Sequence, residues 1–323
     1  MPRLTAAQLQ QFNEEGYLVV DNVLDPAADL QPVMDEYSAI LDGIVDGLIA
    51  EGVLTHRYEN LPFLERLTEV CQDSKRIFSS HFDISLPQAG VKYDTPMHVG
   101  PAVFRLLTNQ RLLDTVESIV GPEVYSNPVQ HIRTKLPKRA IHTGGKYNGL
   151  VQKIDWHQDN GVVLPEADEA TILTVWLPLT DATLENGCMQ VIPRSHRVGI
   201  VDHCPGAQGV RIPSSIIAVD EAKPLPMRAG SVLFMTQRTV HSSLDNITND
   251  QVRMSFDLRY QPTGQPTGRP AFPGFVARSA ATPEQELQDP EKWARLWLDT
   301  REALARAEDP LFNRWDGKAP ACA

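Results

Sequence analysis

Residues 155–160 read Asp-Trp-His-Gln-Asp-Asn, and within them His157 and Asp159 are spaced to hold a metal ion. On a strand, side chains alternate between faces, so positions two apart point the same way. An imidazole and a carboxylate then project side by side. A second histidine from a later strand would complete the two-histidine, one-carboxylate face that holds Fe(II) and leaves coordination positions open. The chain has nine histidines, so that partner has to be chosen. His196 follows a short strand-like run and opens a loop in Pro193-Arg194-Ser195-His196. His241 follows the turn Ala229-Gly230 and an apolar run, with Arg253 twelve residues further on at the start of another run. Arginine offers a carboxylate a planar, two-pronged fork. His241 and Arg253 on neighbouring strands would set a metal ligand and a carboxylate clamp within one small molecule's length. No equivalent arginine follows His196, so His241 is the expected ligand and His196 is expected to order its loop. Arg259 competes with Arg253 for the clamp.

The elements that must position these residues fall into two textures. The first third reads as helix. Thr5 and Gln8 form a capping box for a helix over residues 6–15, which Gly16 ends. Tyr17-Leu18-Val19-Val20 reads as a short strand. Asp25-Pro26 is an N-cap with proline at the first helical position, ahead of helical spacing over residues 30–49. Further helix is expected over 61–78 and 103–120. From about residue 123 the apolar runs become short and β-branched, with Pro and Gly between them, as in Ala170-Thr171-Ile172-Leu173-Thr174-Val175-Trp176-Leu177 and in residues 188–192, 231–235 and 252–260. That texture predicts a β-sandwich or barrel, not βαβ units. A final helix is expected after Thr282-Pro283, with Trp293, Leu296 and Trp297 as its packing stripe.

Composition narrows the class. The chain has 323 residues, enough for a large core. With 30 basic and 41 acidic residues the net charge is −11, which argues against a nucleic-acid surface. No apolar run approaches a membrane span, and the N-terminus lacks a signal-peptide stretch. The four cysteines lie far apart and form no CxxC, so reduced thiols and a cytoplasmic setting are expected. The basic stretch over 133–146 (Arg133, Lys135, Lys138, Arg139, His142, Lys146) could meet a phosphate, though a solvated loop is the preferred reading. Residues 199–214, rich in Gly and Pro, form either an active-site lid or a long connection.

Taken together, these pieces resemble the phytanoyl-CoA dioxygenase family of Fe(II)/2-oxoglutarate-dependent oxygenases. The resemblance runs from about residue 4 to 275. It is carried by Leu4-Thr5 through Gly16-Tyr17, Trp156-His157-Gln158-Asp159, Val175-Trp176-Leu177-Pro178, Gly187-Cys188-Met189, Pro193-x-Ser195-His196, Ala229-Gly230, His241-Ser242-Ser243 and Arg253 with Leu258-Arg259-Tyr260, in the family's order. It implies one oxygenase domain over 1–323. That domain would have a mostly helical part (1–122), a double-stranded β-helix, or jelly-roll, core (123–275) and a C-terminal helical extension (276–323). It implies His157, Asp159 and His241 as Fe(II) ligands. Arg253 would bind the distal carboxylate of 2-oxoglutarate with help from Ser243, and Trp176 would line that pocket. Lys92 and His131 fall where the family contacts the cosubstrate. The implied activity consumes O2, releases succinate and CO2, and oxidises a small organic substrate, a secondary metabolite in preference to an acyl-CoA. Halogenating relatives lack the carboxylate ligand, so Asp159 implies hydroxylation or a related oxidation. A jelly roll that binds metal without catalysis is the rival reading, and Arg253 speaks against it, since a pure binder needs no carboxylate clamp. A zinc hydrolase ranks last, for want of a placed general base.

Overall fold

The computed structural model describes residues 3–141, 153–206, 209–312 and 314–322. Helices α1 (Ala6–Glu15), α2 (Gln31–Ala50), α3 (Phe63–Ser74), α4 (Ser79–Phe82), α5 (Pro101–Leu107) and α6 (Gln110–Val120) fill the first third, with strand β1 (Tyr17–Val20) between the first two. Strands β2 (Glu123–Lys135), β3 (Leu173–Pro178), β4 (Met189–Val191), β5 (Cys204–Gly206), β6 (Gly209–Arg211) and β7 (Lys223–Leu225) follow. The chain then runs through β8 (Val232–Thr236), β9 (His241–Ser243), β10 (Arg253–Pro262) and β11 (Phe275–Ser279) into helix α7 (Pro290–Arg306).

Strand β10 explains the architecture. Its even positions Met254, Phe256, Leu258 and Tyr260 are apolar, and its odd positions Arg253, Ser255, Asp257 and Arg259 are polar, yet all are buried. A strand buried on both faces with that alternation needs an apolar layer on one side and a polar enclosure on the other. The apolar side packs on helices. Val33, Tyr37 and Leu41 of α2, Leu112 and Val116 of α6, and Trp293 and Trp297 of α7 share one core with it. Tyr260 donates its hydroxyl to the Leu107 carbonyl of α5 at 2.8 Å, which satisfies the one polar atom on that face. The polar side faces a second sheet. The larger sheet has the order β1-β8-β3-β10-β2-β11 and the smaller β7-β4-β9, every pairing antiparallel. Together they form a jelly-roll core with flanking helices.

Local chemistry sets most boundaries. Both halves of the Thr5–Gln8 capping box are made, and Gly16 ends α1 at φ 81°. A Cβ at Gly16 would lie 2.3 Å from the ring of His196, so that histidine packs on the helix stop. Two helical expectations change. The segment over 103–120 is two helices, because Asn109 caps α6 by accepting from the Arg111 and Leu112 N–H groups. Thr282-Pro283 starts only a 3-10 turn, and Asp289 caps α7 instead.

The cysteine expectation is corrected as well. Cys204 and Cys322 form a disulfide across 118 residues, while Cys71 and Cys188 are buried free thiols. Sequence spacing gives no sign of a pair so far apart. Among the described residues no helix is long and apolar enough to cross a membrane.

Candidate active site

His157 does not lie on a regular strand. It forms an isolated antiparallel bridge with His241, the two backbones exchanging hydrogen bonds of 3.0 Å in each direction. Asp159 then opens a 3-10 turn, Asp159–Val162. The alternation argument for His157-x-Asp159 is therefore replaced by a different geometry with the same result. The bridge sets the two imidazoles face to tilted face, ring centroids 4.2 Å apart, and the turn swings the carboxylate in beside them. The ligating atoms of His157, Asp159 and His241 lie within 4.8 Å of one another, and all three residues are buried.

The donor set fits a metal ion. Nδ1 of His157 donates to the Asp155 carbonyl at 2.8 Å, and Nδ1 of His241 to the Thr239 carbonyl at 2.9 Å. Each bond fixes the tautomer that leaves Nε2 with a lone pair for a ligand. Burial, with His241 close by, pushes His157 down to about 3, so its ring is neutral as ligation requires. Burial alone would raise the Asp159 carboxyl. The Arg259 guanidinium and both histidines outweigh it and hold the group below the usual carboxylate range. Arg259 donates through Nη2 to Asp159 and through Nη1 to the Val129 carbonyl at 2.7 Å. The Thr174 hydroxyl donates to the other carboxylate oxygen. Arg259 is thus an orienting partner of a ligand, which removes it from competition for the carboxylate clamp.

Arg253 sits elsewhere on the same strand face, fully buried. His241 and Arg253 were expected on neighbouring strands, but they lie in different sheets, on β9 of the smaller and β10 of the larger. The guanidinium donates to the Gly187 carbonyl at 3.2 and 2.9 Å and to Ser255 Oγ at 2.6 Å, which leaves N–H donors to spare. It lies 5.6 Å from the Trp176 ring centre. Trp176 Nε1 is buried without a hydrogen-bond partner among the described residues. A surplus cation beside an orphaned donor suits a small anion. Lys135 of β2 completes the group, paired in register with Arg253 and donating to Ser243 Oγ at 2.8 Å and to the Leu244 carbonyl. Burial and then Arg253 push its amine down to about 6.

The remaining expected residues divide. His131 lies on the polar face of β2 opposite Asp257, with Nδ1 bonded to Asp83 Oδ2 at 2.9 Å. Beside it Arg133 donates to Asp257 Oδ2 at 3.0 Å. Lys92 is exposed in a turn closed by Thr95, outside this buried group. The basic stretch over 133–146 is not simply a solvated loop. Arg133 and Lys135 belong to β2, Arg139 pairs with Glu69 at 2.7 Å, and His142 and Lys146 fall outside the described residues. Lys135, Thr174 and the Arg133–Asp257 pair were not read from the sequence. For Arg133 and Lys135 the signal was the alternation His131, Arg133, Lys135 inside a β-branched run, which marks one strand face. Residues 199–214 contain the β5–β6 hairpin.

The descriptor of phytanoyl-CoA dioxygenase (PhyH) matches residues 12–255, most of the chain. The chain belongs to the phytanoyl-CoA dioxygenase family. A phytanoyl-CoA dioxygenase of Arabidopsis thaliana is 26% identical over 255 residues, covering 76% of this chain and 85% of that protein. An ectoine dioxygenase of Bordetella parapertussis is 24% identical over 261 residues, covering 76% and 71%. Among solved structures, the apo form of the non-heme monooxygenase ThoJ superposes with a TM-score of 0.57 at 19% identity, covering 93% of this chain and 97% of that one. At that identity the likeness speaks for the fold. This member of the phytanoyl-CoA dioxygenase family is an oxidoreductase of the Fe(II)/2-oxoglutarate-dependent dioxygenase class, with Fe(II) as cofactor and 2-oxoglutarate and O2 as cosubstrates.

Proposed function

We propose that this enzyme hydroxylates a small polar organic molecule, a secondary-metabolite intermediate, releasing succinate and CO2. The observation that carries the reading is the polar face of β2 and β10. His131, Arg133, Asp257 and Arg259 run along it toward the Asp159 carboxylate, and Asp83 backs His131. Paired buried and half-buried charges and a half-buried histidine with a fixed tautomer suit hydroxyl, amine or carboxylate groups better than an alkyl chain. The acyl-CoA alternative loses support, because Arg133 and Lys135 are built into the sheet and Arg139 is paired with Glu69.

His157, Asp159 and His241 would hold Fe(II) through two Nε2 atoms and one carboxylate oxygen. When bound, the iron with 2-oxoglutarate supplies O2 activation and hydrogen abstraction. The chain supplies the rest. Arg253 takes the distal carboxylate of 2-oxoglutarate with Ser243, and Trp176, its buried N–H without a partner among the described residues, walls that pocket. Lys135 fills the part expected of Lys92. Arg259 and Thr174 hold the Asp159 carboxylate in one orientation. His131, on the substrate side, presents Nε2 because Asp83 holds Nδ1. We read residues 1–323 as a single domain for this chemistry. We also place the enzyme in the cytoplasm, where the Cys204–Cys322 bridge would form only under oxidising conditions.

The test is anaerobic. Apo-protein is loaded with Fe(II), 2-oxoglutarate is added, and the visible spectrum is read for the metal-to-ligand charge-transfer band of the chelate. The expected result is a band absent in His241→Ala and weakened in Arg253→Ala. Bound iron with no band in the wild type would sink the cosubstrate assignment and favour a metal-binding jelly roll without catalysis.

A further inference from the structure

We propose that the C-terminal tail is part of the active-site machinery. In this proposal Arg314 and Trp315 hold the turn that carries Asp159, and the Cys204–Cys322 disulfide keeps them there. The inference rests on the metal-site reading above. Three of its residues, Arg314, Trp315 and Cys322, lie beyond residues 12–255, the span matched to the family.

The turn Asp159–Val162 has few ladder bonds to hold it, and its carbonyls would be orphaned without partners. The tail provides two of them, at Asn160 and Gly161, while Arg269 Nη2 donates to the Val162 carbonyl at 2.6 Å. Trp315 Nε1 donates to the Gly161 carbonyl at 2.6 Å. Arg314 donates through Nη2 to the Asn160 carbonyl at 3.1 Å and through Nε to the Val163 carbonyl at 3.0 Å. Its Nη1 pairs with Asp168 at 2.6 Å, and Asp168 in turn accepts from Asn160 Nδ2 at 2.8 Å. Two adjacent tail residues thus grip the backbone just after the carboxylate ligand.

The other side of the motif is gripped through His203. Trp315 stacks on that ring with centroids 5.1 Å apart and planes 23° apart. His203 Nε2 accepts the N–H of Gln158, the residue between the two motif ligands, at 3.0 Å. A Cβ at Gly161 would lie 2.2 Å from the same ring, so the turn closes tightly on His203. The next residue, Cys204, carries the disulfide to Cys322. The tail is therefore tied at its end to the residue that follows His203, the ring Trp315 stacks on. Cys322 is only half-buried, within reach of a reductant.

Reduction would open the latch. A two-electron reductant, a dithiol in the cell, breaks the S–S bond. Cys204 and Cys322 become thiols with two electrons and two protons taken up, and the dithiol becomes a cyclic disulfide. The tail then holds its place by noncovalent contacts alone. Metal sites demand ligand placement within about 0.5 Å, and loss of groups that orient ligands costs roughly 10–100-fold in metal affinity.

The experiment uses the full chain and Co(II), whose visible bands report binding without turnover. The dissociation constant is measured anaerobically for wild type, for Cys204→Ser/Cys322→Ser and for Trp315→Phe, which keeps the stack and loses the indole N–H. Arg314→Gln and wild type treated with a phosphine reductant complete the set. The Cys→Ser pair excludes cobalt binding by freed thiols. Circular dichroism and thermal midpoints verify that each protein is folded at the assay temperature. We expect the double cysteine variant, the reduced wild type and Arg314→Gln to bind roughly 10-fold or more weakly, Trp315→Phe to fall between, and the reductant to have no further effect on the double variant. Equal dissociation constants across folded variants would overturn the tail's role while leaving the metal site standing. A wild type that binds no cobalt would overturn the metal-site reading, and this inference with it.

Discussion

Arg253 and Arg259 lie on one face of one strand, both buried, and their partners separate their work. Arg259 spends its fork on the carboxylate ligand Asp159 and on the Val129 carbonyl. Arg253 rests on a carbonyl and a hydroxyl, with donors left over beside Trp176. Hydrogen bonds to charged groups contribute roughly 1.5–3 kcal/mol, about 10–100-fold in affinity. Arg253→Gln is therefore expected to weaken 2-oxoglutarate by that factor and to leave Co(II) binding unchanged. Arg259→Gln is expected to do the reverse, weakening Co(II) by roughly 10–100-fold. Separate anaerobic titrations of metal and cosubstrate read both, and a swapped pattern would exchange the two roles. Lys135 adds a pH signature. Its amine, ordinarily near 10.5, sits at about 6 in the folded protein, first through burial and then through Arg253. A cosubstrate carboxylate beside it would raise it again. Affinity for 2-oxoglutarate should be full below about pH 6 and fall as pH rises from there toward 8. Lys135→Met should bind more weakly at pH 6 and show no such slope in a calorimetric series. The same amine shapes stability. Between about 6 and 10.5 the unfolded chain holds the proton that the folded chain has lost, so this group's contribution improves as pH rises through that window.

At the scale of elements, what the sequence revealed followed from period and caps. The alternation in residues 253–260 and the β-branched runs predicted the sheets, because a period of two survives any arrangement of neighbours. The helix starts at Ala6 and after Asp25 were legible because the cap and the backbone donors it accepts from lie within three residues. Features set by distant segments were not. The bridge between His157 and His241, the separation of His241 and Arg253 onto facing sheets, and the Cys204–Cys322 bond all depend on chain segments dozens of residues apart. Asp289-Pro290 is an instructive case, since it repeats the Asp25-Pro26 signature that was read correctly near the N-terminus. Asp289 accepts from Glu291 N at 2.9 Å and Lys292 N at 3.3 Å, whereas Thr282 makes no side-chain cap. Helix α7 buries Trp293 and Trp297 against the apolar sheet face, remote from the ligands in contact terms. Asp289→Ala should lower unfolding stability by about 1 kcal/mol. In urea the midpoint should fall with the slope unchanged, and Co(II) affinity should match wild type. A large loss of metal binding would mean that α7 supports the site more directly than its contacts indicate.

For the whole molecule, the metal joins parts of the fold that the backbone joins weakly. His157 and Asp159 come from the irregular segment before β3, and His241 from the small sheet. Asp159 is tied through Thr174 and Arg259 to the large sheet. An ion on these three side chains crosslinks both sheets in the folded state and has no such site in the unfolded chain. Binding must therefore raise stability, by about 2.7 kcal/mol at a free metal concentration one hundred times the dissociation constant. 2-Oxoglutarate should add a second increment of the same kind, but chiefly after the metal, because chelation and the proposed Arg253 clamp would act on opposite ends of one molecule. Thermal melts with Mn(II), which binds without turnover, should thus rise in two steps in the wild type. Arg253→Gln should show the first step and lose most of the second, and His241→Ala should show neither. Chelator should return the wild type to its starting midpoint. If 2-oxoglutarate alone raised the midpoint as much as it does after Mn(II), the clamp would be holding the cosubstrate without the metal. The facing sheets would then be two independent binding surfaces instead of one chelating site.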